Sequence, residues 1–411
     1  MLAGLLLGAF GGAAAHAFVA PDALAGFVSH VTGPAGQLFL RLLFMLVVPL
    51  VISALPLGVA GLGDLRALGR VGLRTLAYTV CVSAIAVLLG VALVNLFEPG
   101  AGIAPEVRER LRAAAPPTPA AATGPVGSEL LVRLVPANVV QAMAEGDLLA
   151  VMVFALFLGV GLAAVRSGPA RHLEEMLQGL YEVVMWLLDA VIRVAPLGVF
   201  CLVFTLVARM GVDVLRQLAA YVLVVTGALA VHNFVVYSLA VRFLGGMSPL
   251  RFFRAVRSAM LTAFSTASSN ATLPTALAVA DRELGLPSHV SRFVLTLGST
   301  ANQNGTALFE GVTVLFLAQL YGVELAFSEQ VLVVAICVLG GIGTAGVPAG
   351  SIPVVMMILG LVGVPAEGIG MILGVDRFLD MCRTTVNVTG DLVAAVVVSR
   401  GETGRAAPPP A

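Results

Sequence analysis

Runs of apolar residues, each at least the roughly 20 needed to cross a bilayer as a helix, follow one another through this chain and leave little room for another architecture. Such runs place expected helices near 1–20, 37–62, 72–97, 138–165, 175–209 and 214–244, with two more at 288–322 and 366–398. Hydrophobic residues make up 59% of the 411 and charged ones only 11%, against about 25% charged in a soluble domain. The fold class is therefore an all-α polytopic membrane protein. Net charge is zero, which gives no basic surface for nucleic acid. Cys81, Cys201, Cys337 and Cys382 are scattered in apolar segments without metal-ligand spacing and read as small packed hydrophobes. The start, 1–18, has no positive flank and reads as a first membrane helix, not a cleaved signal.

Charges between the runs orient them. Arg66, Arg70 and Arg74, then Arg166 and Arg171, then Arg242, Arg251, Arg254 and Arg257 assign those loops, and both termini, to the cytoplasm. The segment 98–137 then faces outward, with Pro116, Pro117 and Pro119 in an irregular stretch, and the Pro-rich tail from Arg400 reads as disordered.

Two segments depart from the spanning pattern. Residues 249–285 hold two apolar arms around Ser265-Thr266-Ala267-Ser268-Ser269-Asn270-Ala271-Thr272-Leu273-Pro274, and 327–364 repeat the plan around a Gly-rich tip at 340–350. Arms too short to cross, meeting at a polar tip, describe re-entrant hairpins. Each is followed by a full helix, and the two units in opposite senses make an inverted repeat with a site at mid-membrane. The helix at 288–322 is itself interrupted by Thr300-Ala301-Asn302-Gln303-Asn304-Gly305-Thr306. Asn and Gly are poor helix-interior residues, so unwinding there would free carbonyls for a cation; a Gly kink with amides bonding neighbouring helices is the plainer alternative.

The last helix carries Asp376, Asp380, Arg383, Asn387 and Asp391. At about 100° per residue these fall on one stripe roughly 80° wide. Ionisable groups at membrane depth are costly and line substrate or ion paths, and a stripe of acids, base and amide suits a small zwitterion with cations. Charges of a helix end sitting in interfacial water are the bland alternative. Arg377 beside Asp376 reads as a local ion pair, His232 as a structural hydrogen bond, and His16 and His289 as interfacial.

These motifs resemble the glutamate transporter family, the dicarboxylate/amino acid:cation symporters, over nearly the whole chain. The resemblance rests on Phe39-Leu40-Arg41-Leu42-Leu43-Phe44-Met45-Leu46-Val47-Val48-Pro49, on Ala195-Pro196-Leu197-Gly198-Val199-Phe200, and on Ser-Ser-x-x-Thr-Leu-Pro at 268–274. It rests further on Gly343-Thr344-Ala345-Gly346-Val347-Pro348 and, most specifically, on Leu379-Asp380-Met381-Cys382-Arg383-Thr384 followed by Asn387-Val388-Thr389-Gly390-Asp391. It implies eight transmembrane helices plus two re-entrant hairpins, an elevator-type homotrimer, no cofactor, and sodium ions or protons as coupling ions. Residues 1–71 and 98–212 would form the scaffold, 72–97 and 213–398 the mobile transport core, and 399–411 the tail.

By the same resemblance Asp380 pairs with a substrate ammonium and Arg383 forks onto a side-chain carboxylate. Ser268, Ser269, Thr306, Val347, Thr384 and Asn387 complete the substrate site. Asp391, with carbonyls of Gly298, Asn302 and Asn387, matches one sodium site; Thr300, with carbonyls at Gly341, Ile342 and Thr344, matches a second. Having both Asp380 and Arg383 favours aspartate or glutamate over a plain dicarboxylate, cystine or a neutral amino acid. Two departures stand out. The family's Asn-Met-Asp-Gly-Thr is here Asn302-Gln303-Asn304-Gly305-Thr306, and its Thr-Ser pair is Val82-Ser83, so a third sodium site loses its carboxylate. Glu310 occupies the position of a proton-carrying glutamate. Its plainer alternative is a protonated acid making one interhelical hydrogen bond. A dedicated channel would need a continuous polar pore, whereas polar residues here cluster at one depth. An intramembrane serine enzyme would need a base; the chain has no Lys, and neither tip contains His.

Overall fold

A computed structural model describes residues 2–61, 70–102, 108–109, 135–145, 148–165, 167–211, 213–343 and 351–400, and every element among them is helical. In chain order the main helices are α1 (Leu2–Phe18), α2 (Gly33–Phe44), α3 (Val47–Gly61), α4 (Arg70–Phe97), α5 (Leu148–Ala164), α6 (Gly168–Met210) and α7 (Asp213–Val231). They continue as α8 (Pro249–Thr266), α9 (Ser269–Arg282), α10 (Ser288–Ala301), α11 (Asn304–Tyr321), α12 (Phe327–Gly343), α13 (Ile352–Leu361) and α14 (Ile369–Ser399). Four stretches are long and apolar enough to cross a membrane: Pro21–Ala60, Val71–Phe97, Leu215–Leu244 and Ile369–Ser399. A fifth is the pair Gly168–Val191 and Arg193–Arg209, bent by 52°. Pro196 accounts for that bend: it removes the bond to the carbonyl four residues back, at Ile192, where the helix breaks.

Several expected spans are subdivided. The run at 37–62 turns at Met45–Leu46 between α2 and α3, and Val139–Glu145 precedes α5 as a separate turn of helix. The helix expected at 214–244 leaves α geometry twice, as π-helix at His232–Val236 and again at Ala240–Leu244. In the first hairpin the expected long polar tip shrinks to Ala267–Ser268. Ala267 adopts a left-handed conformation (φ 50°, ψ 37°), and the Ser268 hydroxyl accepts from the Ala271 N–H and caps α9. Pro274 therefore lies inside α9 rather than in the tip. The second tip falls mostly on 344–350, outside the described residues, as do most of the outer loop and the tail from 401.

Two packing groups emerge. Helix α6 packs along α1, α2 and α3, and α3 along α5. Helix α14 is the hub of the other: α7, α8, α9, α10 and α11 all rest on it, and α4 and α12 flank α11. Apart from Gln319, every residue of α11 is buried, the pattern of a helix enclosed on all faces. Polarity is inverted relative to a soluble protein. Arg383, Asp376, Asp380 and Asp391 are buried, while Phe10, Phe18, Trp186, Leu223 and Phe243 stand exposed on faces suited to hydrocarbon.

Candidate functional site

The break between α10 and α11 lies at Asn302 and Gln303, whose backbone leaves helical geometry (ψ 61° and 57°). A helix that starts inside the protein has amide N–H groups needing acceptors, and Gln303, at the cap position, supplies none from its side chain. Asn387 supplies it from α14. Its Oδ1 accepts from the N–H of Gly305 at 2.7 Å and of Thr306 at 3.4 Å, while its Nδ2 donates to Gln303 Oε1 and to Thr306 Oγ1 at 3.0 Å. Gly305 lets the helices close in: a Cβ there would sit 3.0 Å from that of Val386. The interruption read from the sequence is thus a real break, held by the acidic stripe's one amide.

On the same stripe Arg383 donates to Asp376 at 2.8 Å and lies 3.0 Å from Asp380, with its guanidinium 4.3 Å from the centroid of the Phe309 ring. This corrects the expected Arg377–Asp376 pair. Helical side chains lean toward the N-terminus, so the long Arg383 reaches back over Asp380, one turn before it, and Asp376, two turns before it. Arg377 is rotated off the stripe; half exposed, it lies 4.0 Å from Asp380. Thr384, also buried, neighbours the fork. In the first tip the hydroxyl of Ser269 is buried with no hydrogen-bond partner among the described residues. Ser268 is engaged in capping.

Asp391 accepts from Asn302 Nδ2 at 2.9 Å, and the carbonyl-type oxygen Oδ1 of Asn302 is buried without a partner among the described residues. Gly298 faces Asp391 so closely that a Cβ would lie 2.7 Å from the carboxyl carbon. The structure thus brings Asp391, the Asn302 side chain and Gly298 together, while the Gly298 carbonyl, one of the expected ligands, accepts from the Asn302 N–H at 2.9 Å. The second expected cation group is less gathered. Thr300 is exposed and its hydroxyl donates back to Leu297, whereas Gly341 is buried against Gln303 and Ala307. Ile342 is the last residue but one of α12, and Thr344 and Val347 lie outside the described residues.

Asn304 sits in a neutral chain. Ser83 donates to its Oδ1 at 2.6 Å, its Nδ2 donates to the Tyr237 hydroxyl at 3.1 Å, and Tyr237 donates to the Val386 carbonyl at 3.1 Å. Glu310, six residues further, is fully buried with both oxygens unpartnered among the described residues; Oε2 lies 3.2 Å from where a Cβ of Gly340 would stand. The interhelical hydrogen bond weighed for it is not made among those residues. Neither is the structural bond expected of His232: both ring nitrogens are buried and unpartnered among the described residues, and the ring meets Tyr237 edge-on at 4.7 Å. His16 is more than interfacial, since its Nδ1 lies 2.8 Å from the Ala208 carbonyl and ties α1 to α6. Sequence reasoning missed Gln303, Tyr237 and Phe309 as parts of the site, and placed Asp376 on the stripe without its partner.

The arrangement offers a guanidinium fork, a paired carboxylate, a set of amides and hydroxyls at a helix break, and a separate carboxylate beside the unpartnered Oδ1 of Asn302. Among the described residues no cluster of three or more His, Cys, Asp or Glu suits a transition metal. The family profile described as "Sodium:dicarboxylate symporter family" matches residues 1–401. The chain is 34% identical to the Proton/glutamate-aspartate symporter of Escherichia coli (strain K12), over 98% of this chain and 91% of the relative. It is 36% identical to the Proton/sodium-glutamate symport protein of Bacillus subtilis (strain 168), over 90% and 86% respectively. A C4-dicarboxylate transport protein of Bacillus subtilis (strain 168) is 29% identical over 90% of this chain and 87% of its own length.

Proposed function

The chain belongs to the sodium:dicarboxylate symporter family, and on the site described above we propose that it is a secondary active symporter carrying aspartate or glutamate across a bacterial cytoplasmic membrane with sodium, protons or both. The observation that carries this reading is the buried fork of Arg383 between Asp376 and Asp380. A guanidinium matches a side-chain carboxylate in bidentate geometry, and a carboxylate one turn away matches an ammonium. Asp380 takes the substrate amine and Arg383 its distal carboxylate. Thr306, Thr384, Asn387, Ser268, Ser269 and Val347 serve the remaining groups.

Charge balance supports coupling to cations. Asp376, Asp380 and Asp391 against Arg383 leave the pocket two charges negative, and an acidic amino acid adds another. Such an excess crosses a low-dielectric barrier only with compensating cations. Asp391 with carbonyls of Gly298, Asn302 and Asn387 takes one sodium, and Thr300 with carbonyls of Gly341, Ile342 and Thr344 a second; both sets are hard oxygen donors. At the third position Asn304 is neutral and already bonded at both ends, so no sodium is carried there. Asn304→Asp should restore a charged ligand and make uptake depend on a higher power of sodium concentration; an unchanged sodium curve would refute the point.

In this reading α8–α9 and α12–α13 are the re-entrant hairpins of an inverted repeat within eight transmembrane helices. Residues 72–97 and 213–398 move as an elevator against a trimeric scaffold of 1–71 and 98–212, and both termini are cytoplasmic. The deciding experiment is uptake of labelled aspartate and glutamate into liposomes, with sodium and proton gradients imposed separately and succinate, cystine and serine as competitors. Saturable uptake driven by either gradient and displaced by the acidic amino acids alone is expected. Preference for succinate, cystine or serine would shift the substrate class, and flux independent of both gradients would make the chain a channel.

A further inference from the structure

The row Tyr221, Val225, Leu229, Asn233, Tyr237, Val241 recurs every fourth residue, and all six are at most 3% exposed. A regular α-helix advances about 400° in four residues, so such a row drifts by about 40° per step and should leave the buried face. Tyr221, Val225 and Leu229 lie in regular helix, and beyond them Asn233, Tyr237 and Val241 stay on the buried face because the chain switches to π geometry at His232–Val236 and again at Ala240–Leu244. The wider turn takes up the drift. Phe234 and Val235, inside the first π segment, face outward, and Tyr237, just after it, is turned fully inward. Such bulges are costly and concentrate where a side chain must be re-aimed.

Tyr237 is aimed at a notch. Gly390 in α14 has no side chain, and a Cβ there would overlap the Tyr237 hydroxyl, with the ring carbon bearing it at 2.9 Å. Seated in that notch, the hydroxyl donates to Val386 of α14 and accepts from Asn304, the first residue of α11. Val386 adjoins Asn387, which caps α11 through Gly305, and Gly390 adjoins Asp391. One hydroxyl thus ties the start of the broken helix to the stretch of α14 that carries both the amide cap and the cation carboxylate.

We infer that Tyr237 is a positioning residue for this site: its hydroxyl fixes the Asn387–Asp391 stretch against the start of α11 and thereby sets affinity for cation and substrate, without touching either. The inference rests on the transport reading above. Tyr237→Phe keeps the ring, its edge contact with His232 and the packing at Gly390, and removes only the hydroxyl. In liposomes it should raise KM for aspartate and the half-activating sodium concentration at least about tenfold, the effect of losing the two buried hydrogen bonds that the hydroxyl makes. Vmax should stay within about twofold of the parent's, and thermal unfolding in detergent should stay close to it. Asn304→Ala should produce a similar shift, and the double variant should be no worse than either alone, because both remove the same tie. A Tyr237→Phe protein with the parent's KM and sodium curve overturns the inference, as does one whose Vmax and melting temperature fall at unchanged KM, or a double variant whose effects add. If the unaltered chain takes up neither aspartate nor glutamate, the transport reading itself fails.

Discussion

Arg383→Ala should lower the uptake of aspartate and glutamate by roughly two to three orders of magnitude. Two charge-assisted hydrogen bonds at about 1.5–3 kcal/mol each, less what water recovers, give that range. The loss should appear in KM for the acidic amino acids, measured from initial rates of labelled uptake. Arg383→Lys should recover little, because an ammonium is a point charge and cannot fork onto a carboxylate. Stability confounds the alanine variant. In the intact chain Arg383 pairs with Asp376 at 2.8 Å and Asp380 at 3.0 Å, all three buried; removing it takes the arginine from Asp376 and weakens the pairing of Asp380, which keeps Arg377 at 4.0 Å, at about 3–5 kcal/mol for a broken buried pair. The variant should therefore melt earlier. Asp376→Asn in the same background removes one stranded charge and should restore much of the melting temperature while leaving uptake abolished. Uptake that returns together with stability would mean that Arg383 only holds the helix, and the substrate assignment would fall.

The double partnership of Arg383 also marks the limit of what a sequence discloses. A period of 3.6 residues puts Asp376, Asp380, Arg383, Asn387 and Asp391 on one face, and that face is buried against α7–α11 as the pattern requires. Which acid holds the arginine depends on the lean and length of a side chain, and neighbours in sequence, such as Arg377 and Asp376, mislead. The break at Asn302–Gln303 was legible because Asn and Gly sit where an apolar helix should continue. Its cap was not, because Asn387 lies more than 80 residues away and nothing local points to it. The π segments were equally hidden, since a spacing of four reads as helix until burial shows that the row never drifts. The amide at Asn304 was visible as a departure. That it is wired to Ser83 and Tyr237, and so is a satisfied group instead of a damaged site, needed three helices to be brought together.

Glu310 leads to the second large effect. It lies one turn beyond Thr306 in α11, is fully buried, and has neither oxygen paired among the described residues. The surface facing it is as small as a protein can offer: Gly340 of α12, where a Cβ would stand 3.2 Å from Oε2. On the transport reading, an ionised carboxylate enclosed in this way would be a buried charge without a hydrogen-bonded partner among the described residues, so the neutral acid would be the form that travels with the load, taking a proton with it. Each proton carried per substrate makes the accumulation ratio about tenfold steeper for each unit of inward pH gradient, since 1.4 kcal/mol corresponds to a factor of ten. The parent chain in liposomes should show that slope at fixed sodium. Glu310→Gln keeps size and neutrality but has no proton to release, so its accumulation ratio should be flat against the same gradient. Binding of aspartate should stay near the parent's, because Gln mimics the form that binds. Uptake by Glu310→Gln that still rises with an inward proton gradient would remove Glu310 from coupling and leave the charge of the pocket to be met by sodium alone.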